Sequence, residues 1–195
     1  MRNIALVDND FMHKIASIVM QESEWISLVG RLFHDLGCIA GVHSLVYINE
    51  MMDVSAPEHG KNRIKSLTEK EMLLIQDLNK ILYDDDLRNY YKIVFMEICN
   101  EYYGEVPIED IFTQWKRNCS LGEIHSITMC VLFEFGIFLS DDIGSKTIAR
   151  SVVENKLCPN TIIVYSREDA IDYINSSVHS TLKKNEKRMI KSQRK

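Results

Sequence analysis

Acidic residues stand at three separated places in this chain where folding could gather them. Asp8-Asn9-Asp10 follows the apolar run 3–7, Glu123 opens a helical stretch, and the pair Asp141-Asp142 follows the apolar run 137–140. Carboxylates collected at one point have one common use. As hard oxygen donors they hold Mg²⁺ or Mn²⁺, leave waters on the ion, and leave room for phosphate oxygens. Two such ions about 4 Å apart can activate a water and stabilise the leaving oxygen of a phosphodiester. Without a cation the same groups repel and raise one another's pKa. Each acid also has a plain structural reading. Asp8 or Asp10 can cap the helix that follows, Ser120-Leu121-Gly122-Glu123 has capping-box spacing, and Asp141 and Asp142 can be turn residues before a helix capped by Ser145. Their joint placement at strand ends favours a site.

The elements that must position these acids are legible in the apolar pattern. Residues 3–7 read as a buried strand, and helical spacing then runs to about Glu24. Trp25, Leu28, Val29, Leu32 and Phe33 recur at i, i+3, i+4, i+7 and i+8, which predicts a second amphipathic helix ending near Gly37. A second strand is expected at 38–42. Thr68-Glu69-Lys70-Glu71 has capping-box spacing ahead of Leu74, Leu78, Ile81 and Leu82, so a helix is expected there, ended by Asp84-Asp85-Asp86. That acid run reads as punctuation rather than as a metal site. Residues 54–66, polar and small, read as the least ordered stretch, with helices following at 87–103 and 108–117. The last third alternates: helix 122–135, strand 137–140, helix 145–155, strand 161–165, helix 167–178. This predicts an α/β fold with a parallel sheet and helices on both faces, in which ligands bind at the carboxyl ends of the strands. Asp8, Asp141 and Asp142 fall there.

Length and composition set the frame. At 195 residues, 46% apolar and with three prolines, the chain suits one globular domain. No apolar run approaches the roughly 18 residues of a membrane span, and Asp8 interrupts any signal-peptide core, so a cytoplasmic protein away from membranes is expected. The five cysteines, Cys38, Cys99, Cys119, Cys130 and Cys158, include no C-x-x-C pair and read as buried, reduced thiols. Charge is uneven. The chain totals −5, yet residues 183–195 hold seven Lys/Arg and one Glu, a balance of +6 that leaves −11 for the rest. Such a tail could steer a polyanion or be a solvated helix end.

The segment Leu121-Gly122-Glu123-Ile124-His125-Ser126-Ile127, then Phe138-Leu139-Ser140-Asp141-Asp142-Ile143-Gly144-Ser145-Lys146-Thr147-Ile148-Ala149-Arg150, resembles the distal half of a PIN domain. The opening Leu6-Val7-Asp8-Asn9-Asp10 is similar to that family's first strand and first ligand, with Asp10 where the family more often has Ser, Thr or Asn. The resemblance implies a PIN-like three-layer fold over 1–182, with a helical insertion at about 51–118 and a basic tail at 183–195. It further implies a metal-dependent nuclease acting on RNA, with Mg²⁺ or Mn²⁺ bound by Asp8, Glu123, Asp142 and Asp141. His43-Ser44-Leu45-Val46-Tyr47-Ile48-Asn49-Glu50 looks like the segment that adds a further acid, which makes Glu50 a candidate. Many family members are toxins held by an antitoxin, so an antitoxin or other protein partner and a homo-oligomer come within the expectation.

Two other readings fit part of the pattern. Asp8-Asn9-Asp10 has the D-x-D spacing of haloacid-dehalogenase-like phosphatases, in which Asp8 would be a nucleophile, Asp141-Asp142 the late acidic motif, and Lys116 a candidate for the motif's lysine. Alternatively, the fold serves as a catalytically inactive PIN-like binding or regulatory module.

Overall fold

The structure is a computed structural model, and it describes residues 3–116, 119–155, 157, 160–177 and 179–192. Five strands, β1 Asn3–Val7, β2 Cys38–His43, β3 Leu73–Gln76, β4 Ile137–Leu139 and β5 Ile163–Tyr165, form one sheet in the order β3-β2-β1-β4-β5. Every pairing is parallel. The chain winds outward from β1 through β2 to β3, then returns to β1's other side with β4 and continues to β5. A crevice therefore opens between the carboxyl ends of β1 and β4, where the winding reverses.

Alternation along the strands builds two cores. Ala5, Val7 and Leu139 face α1 Asn9–Ala16, α2 Glu22–Asp35, α4 Glu58–Glu69, α9 Arg167–Ser176 and α10 Lys184–Ser192, burying against Phe11, Trp25, Ile64, Ile171 and Ile190. Leu6 and Phe138 point the other way, toward α6 Asp85–Tyr103, α7 Leu121–Phe133 and α8 Ile143–Glu154, among Phe95, Ile127 and Ile148. Each fully buried side chain of this size contributes roughly 1.5–3 kcal/mol of transfer free energy. The result is an α/β fold of helices, parallel sheet and helices. Among the described residues no helix is long and apolar enough to cross a membrane.

Residues 51–118 depart from the expected helical insertion, because β3 is an integral strand of the sheet. Leu73–Gln76 pairs with β2 from Ala40↔Leu73 to His43↔Gln76, and the short α5 Leu78–Ile81 follows, capped by Asp77, whose carboxylate accepts the Asn79 N–H at 3.0 Å. Thr68 lies near the end of α4 and does not start a helix. A short apolar run fits either period, and the free edge of β2 decided the outcome. Residues 54–66, expected to be poorly ordered, mostly enter α4, whose buried Gly60, Arg63, Ile64 and Leu67 form a narrow stripe that polar composition hides. Arg63 donates to the carbonyls of Ala16, Ile18 and Met20, closing the end of α1. No helix spans 108–116. There the Asp110 carboxylate accepts the Phe112 N–H and the Thr113 hydroxyl and folds the chain into a turn; Arg117 lies outside the described residues.

The C-terminal segment is more than a solvated end. α10 buries Ile190, its carbonyl accepts from the Arg167 guanidinium at 2.9 Å, and Glu186 meets Arg31 at 2.5 Å. Cys38, Cys99 and Cys130 are buried thiols, with Cys38 and Cys99 pushed up to about 12 by burial; Cys119 is half-buried. Cys158 and Val178 lie outside the described residues.

Candidate functional site

Asp8 directly follows β1, and its backbone N–H continues the ladder to the Leu139 carbonyl at 2.9 Å. It occupies the N-cap position of α1, but its side chain caps nothing. The carboxylate is buried instead, 3% exposed. One oxygen accepts from the Ser140 hydroxyl at 3.3 Å; the other, Oδ1, has no partner among the described residues. Ser140 is held in turn, accepting from the Asp142 N–H at 3.1 Å and from the buried Ser145 hydroxyl at 3.0 Å. Ser145 thus serves as a brace rather than as the expected cap of α8, a role taken by Asp142, whose Oδ1 accepts the Gly144 N–H at 2.6 Å.

Glu50 and Glu123 reach the same place from separate elements. After β2 the chain makes one helical turn, α3 Ser44–Val46, then a wider one at Tyr47–Met51 in which the Met52 N–H bonds back five residues to the Tyr47 carbonyl at 3.0 Å. Such π-turns change which way a side chain faces and recur at functional sites. Glu50 stands on this turn, half-buried rather than on an open surface helix. Its Oε1 lies 2.5 Å from where a Cβ on Gly122 would be, at the start of α7 beside Glu123. The capping box does not form, since Ser120 accepts no helix N–H.

Electrostatics tie the group together. Burial, then Glu123 and Glu50, push the Asp8 carboxyl well above the usual carboxylate range. Burial, then Glu123 and Asp10, push Glu50 up to about 8. Glu123 is raised by burial and by Asp142 and Asp10, against its own backbone N–H, which lowers it. Asp8 thus lies within the field of Glu50 and Glu123, Glu50 within that of Glu123, and Glu123 within that of Asp142. Asp10 is exposed and pairs with Lys14 at 3.4 Å.

Asp141 departs from the ligand set. Burial alone would raise it, but the Arg167 N–H at 2.9 Å, the Arg167 guanidinium at 2.5 Å and the Lys14 ammonium at 3.1 Å together hold it below its ordinary value. Its oxygens are engaged by these donors, and it joins α1 to α9. The adjacent Asp142 borders the cleft instead.

That cleft, of about 470 Å³, is bordered by Glu50, Asp53, Glu123 and Asp142 with Trp115 and Lys116. Among the described residues no group of three His, Cys, Asp or Glu side chains is already arranged to hold a metal ion. The donor set is nonetheless of the hard-oxygen type that suits Mg²⁺ or Mn²⁺, ions that keep several waters and take one or two carboxylates directly. Ser140, Ser145 and Trp115 were not expected as site residues from sequence, where only the polar Ser140 closing an apolar run signals anything, and Lys116 was expected only as the lysine of the phosphatase-like reading. No protein-family model, no curated protein and no solved structure matches this chain, so its site is read from its own geometry.

Proposed function

We propose that this protein is a metal-dependent nuclease of PIN-like type that hydrolyses RNA phosphodiesters. The observation that carries the reading is Asp8: a buried carboxylate with one oxygen that has no partner among the described residues, beside Glu50 and Glu123, with Asp142 next to Glu123. A buried charge needs a partner, and several acids around one orphaned oxygen call for a cation. Asp8, Glu50, Glu123 and Asp142 are the residues that would hold Mg²⁺ or Mn²⁺. When bound, the ion would lower the pKa of a water and offset charge on the phosphate. Ser140 holds the Asp8 carboxylate in place. Glu50, its carboxyl pushed up to about 8 by burial and by Glu123, would surrender its proton on becoming a ligand. Asp142 keeps one oxygen on the Gly144 N–H, which leaves the other for the cleft.

The test incubates purified protein with structured and unstructured RNA, in Mn²⁺ or EDTA, beside Asp8→Asn. Cleavage confined to the parent in Mn²⁺ supports the reading, and activity that survives EDTA ends it. A binding module is the second reading, favoured by the lack of any pre-arranged ligand triad among the described residues. Metal titration separates the two. A true site raises thermal stability once Mn²⁺ exceeds its dissociation constant, by about 2.7 kcal/mol at a hundredfold excess, whereas a module shows no shift.

A further inference from the structure

Two cleft residues have no part in holding a metal. The chain has two tryptophans. Trp25 is wholly buried, its indole N–H donating to the Ile15 carbonyl at 2.9 Å. Trp115 sits on the irregular stretch before α7, half-buried, and borders the carboxylate cleft. Its ring lies 6.0 Å from His125 at an interplanar angle of 13°. His125 is a firm backing, fully buried and bonded to the Tyr91 hydroxyl at 2.7 Å. Among the described residues the Trp115 indole N–H has no partner. The next residue, Lys116, is exposed, lines the same cleft and makes no ion pair with any described residue, although Glu50, Asp53, Glu123 and Asp142 share that lining.

A flat aromatic ring kept partly in solvent on a rigid support is what a stacking base requires, and every base has a π-face to offer. An unpaired ammonium one residue away answers the other half of a nucleotide, its phosphate. The cleft's volume also falls within the range of ligand pockets, about 300–1,000 Å³. We propose that Trp115 and Lys116 form a nucleotide subsite on the rim of the carboxylate cleft, taking single-stranded RNA by stacking one unpaired base on the indole and holding the adjoining phosphate with the ammonium. A base inside a duplex has both faces covered, so the subsite selects unpaired strands. The substrate class rests on the nuclease reading; the stacking and charge argument stands on the two residues.

The test measures binding, not cleavage. A short fluorescein-labelled single-stranded oligoribonucleotide is titrated against the full chain carrying Asp8→Asn, by anisotropy and by tryptophan emission, in EDTA and again in Ca²⁺. The expected results are quenching of Trp115 emission and a loss of affinity of roughly tenfold in Trp115→Ala, with most of it restored in Trp115→Phe. Lys116→Gln, at an exposed position, should lower the slope of log affinity against log salt by about 0.7. Trp115→Ala and Lys116→Gln variants that bind like the parent would overturn the proposal, as would duplex RNA binding as tightly as single strands, or no binding by the parent in either buffer. Because Trp115 touches both cores, a poorly folded Trp115→Ala leaves the decision to Trp115→Phe and Lys116→Gln. The nuclease reading fails separately: binding that depends on Trp115 with no cleavage by the wild-type chain in Mn²⁺ ends the nuclease and keeps the subsite.

Discussion

The Cβ that Gly122 lacks would stand 2.5 Å from Oε1 of Glu50, closer than any real contact allows. The glycine is what lets a carboxylate from the π-turn reach the first turn of α7. In Gly122→Ala the Glu50 side chain must swing away from Glu123, and Mn²⁺ affinity should fall by about tenfold, a change of about 1.4 kcal/mol. The apo fold should melt at the same or a higher temperature, because alanine is the better helix residue by up to about 1 kcal/mol. Calorimetric titration of Mn²⁺ alongside thermal melts checks both; unchanged affinity would detach Glu50 from the site.

Asp8→Asn should abolish metal-dependent cleavage while stabilising the apo protein. The sign follows from the raised pKa: a carboxyl that holds its proton more tightly when folded costs stability once pH passes its unfolded value, and asparagine removes that cost. A gain of about 1 kcal/mol would raise the melting temperature by about 2–4 °C in a domain of this size. A lower melting temperature at neutral pH would show that the Ser140 hydrogen bond outweighs the repulsion.

Glu50 gives the pH dependence. Raised from its ordinary 4.5 to about 8, it keeps a proton in the folded state across that interval, so apo stability should decline as pH climbs through it. Saturating Mn²⁺ displaces the proton, and the decline should flatten. Apparent metal affinity should therefore rise with pH up to about 8 and level off. Urea midpoints measured across this range, with and without Mn²⁺, decide it, and Glu50→Gln should weaken the dependence, leaving the part that Asp8 and Glu123 contribute.

The two adjacent acids should behave oppositely. Asp141→Asn strips two enclosed cations of their shared partner and should cost about 2–4 kcal/mol. Since the Asp141 pKa is depressed in the fold, the stability it supplies is present above its unfolded value and disappears as pH falls through the folded one. Asp142→Asn keeps an oxygen for the Gly144 N–H and should leave stability within about 0.5 kcal/mol while weakening metal binding. Denaturant titration and Mn²⁺ binding on both variants form the test.

The α9–α10 face carries Lys184, Lys187, Arg188 and Lys191 around one groove. Truncation there would remove the buried Ile190, so charge must be altered in place. Lys184→Gln with Arg188→Gln should reduce the salt slope of RNA binding by roughly 0.7 for each phosphate no longer neutralised, with the metal step unaffected. An unchanged slope would mean that RNA does not touch this face.

Much of the frame was legible from residue pattern. The runs before Asp8 and Asp141 gave β1 and β4, and the alternation after Gly122 gave the last two strands with their helices. Legibility failed where tertiary partners decide. Leu73–Gln76 has too few residues to show a period, and only the open edge of β2 makes it a strand. Arg63 conceals a helix because a buried guanidinium looks polar in sequence, although three carbonyls satisfy it. Resemblance favoured Asp142 over Asp141 as the residue facing the site, but residue pattern alone could not separate them, because Arg167, whose guanidinium engages Asp141, lies 26 residues from it. Glu50 could be placed by resemblance but not by period, since a π-turn advances each residue by a smaller angle than an α-helix does.

One chain of polar contacts runs beneath all this. The Leu45 N–H occupies Nδ1 of His43, so the proton of that neutral ring sits on Nε2 and goes to the Tyr91 hydroxyl at 3.0 Å. The Tyr91 hydroxyl in turn lies 2.7 Å from Nδ1 of His125 and 3.4 Å from the His125 carbonyl. Burial holds His43 down to about 3 and His125 well below its usual value, so both rings stay neutral through the physiological range. The Leu45 amide sets the orientation and tautomer of the first ring, and the Tyr91 hydroxyl links that ring to the second. Buried polar contacts therefore tie α3, which leads directly into the turn carrying Glu50, to the helix that carries Glu123, so the two acids are held on elements already joined before any ligand arrives.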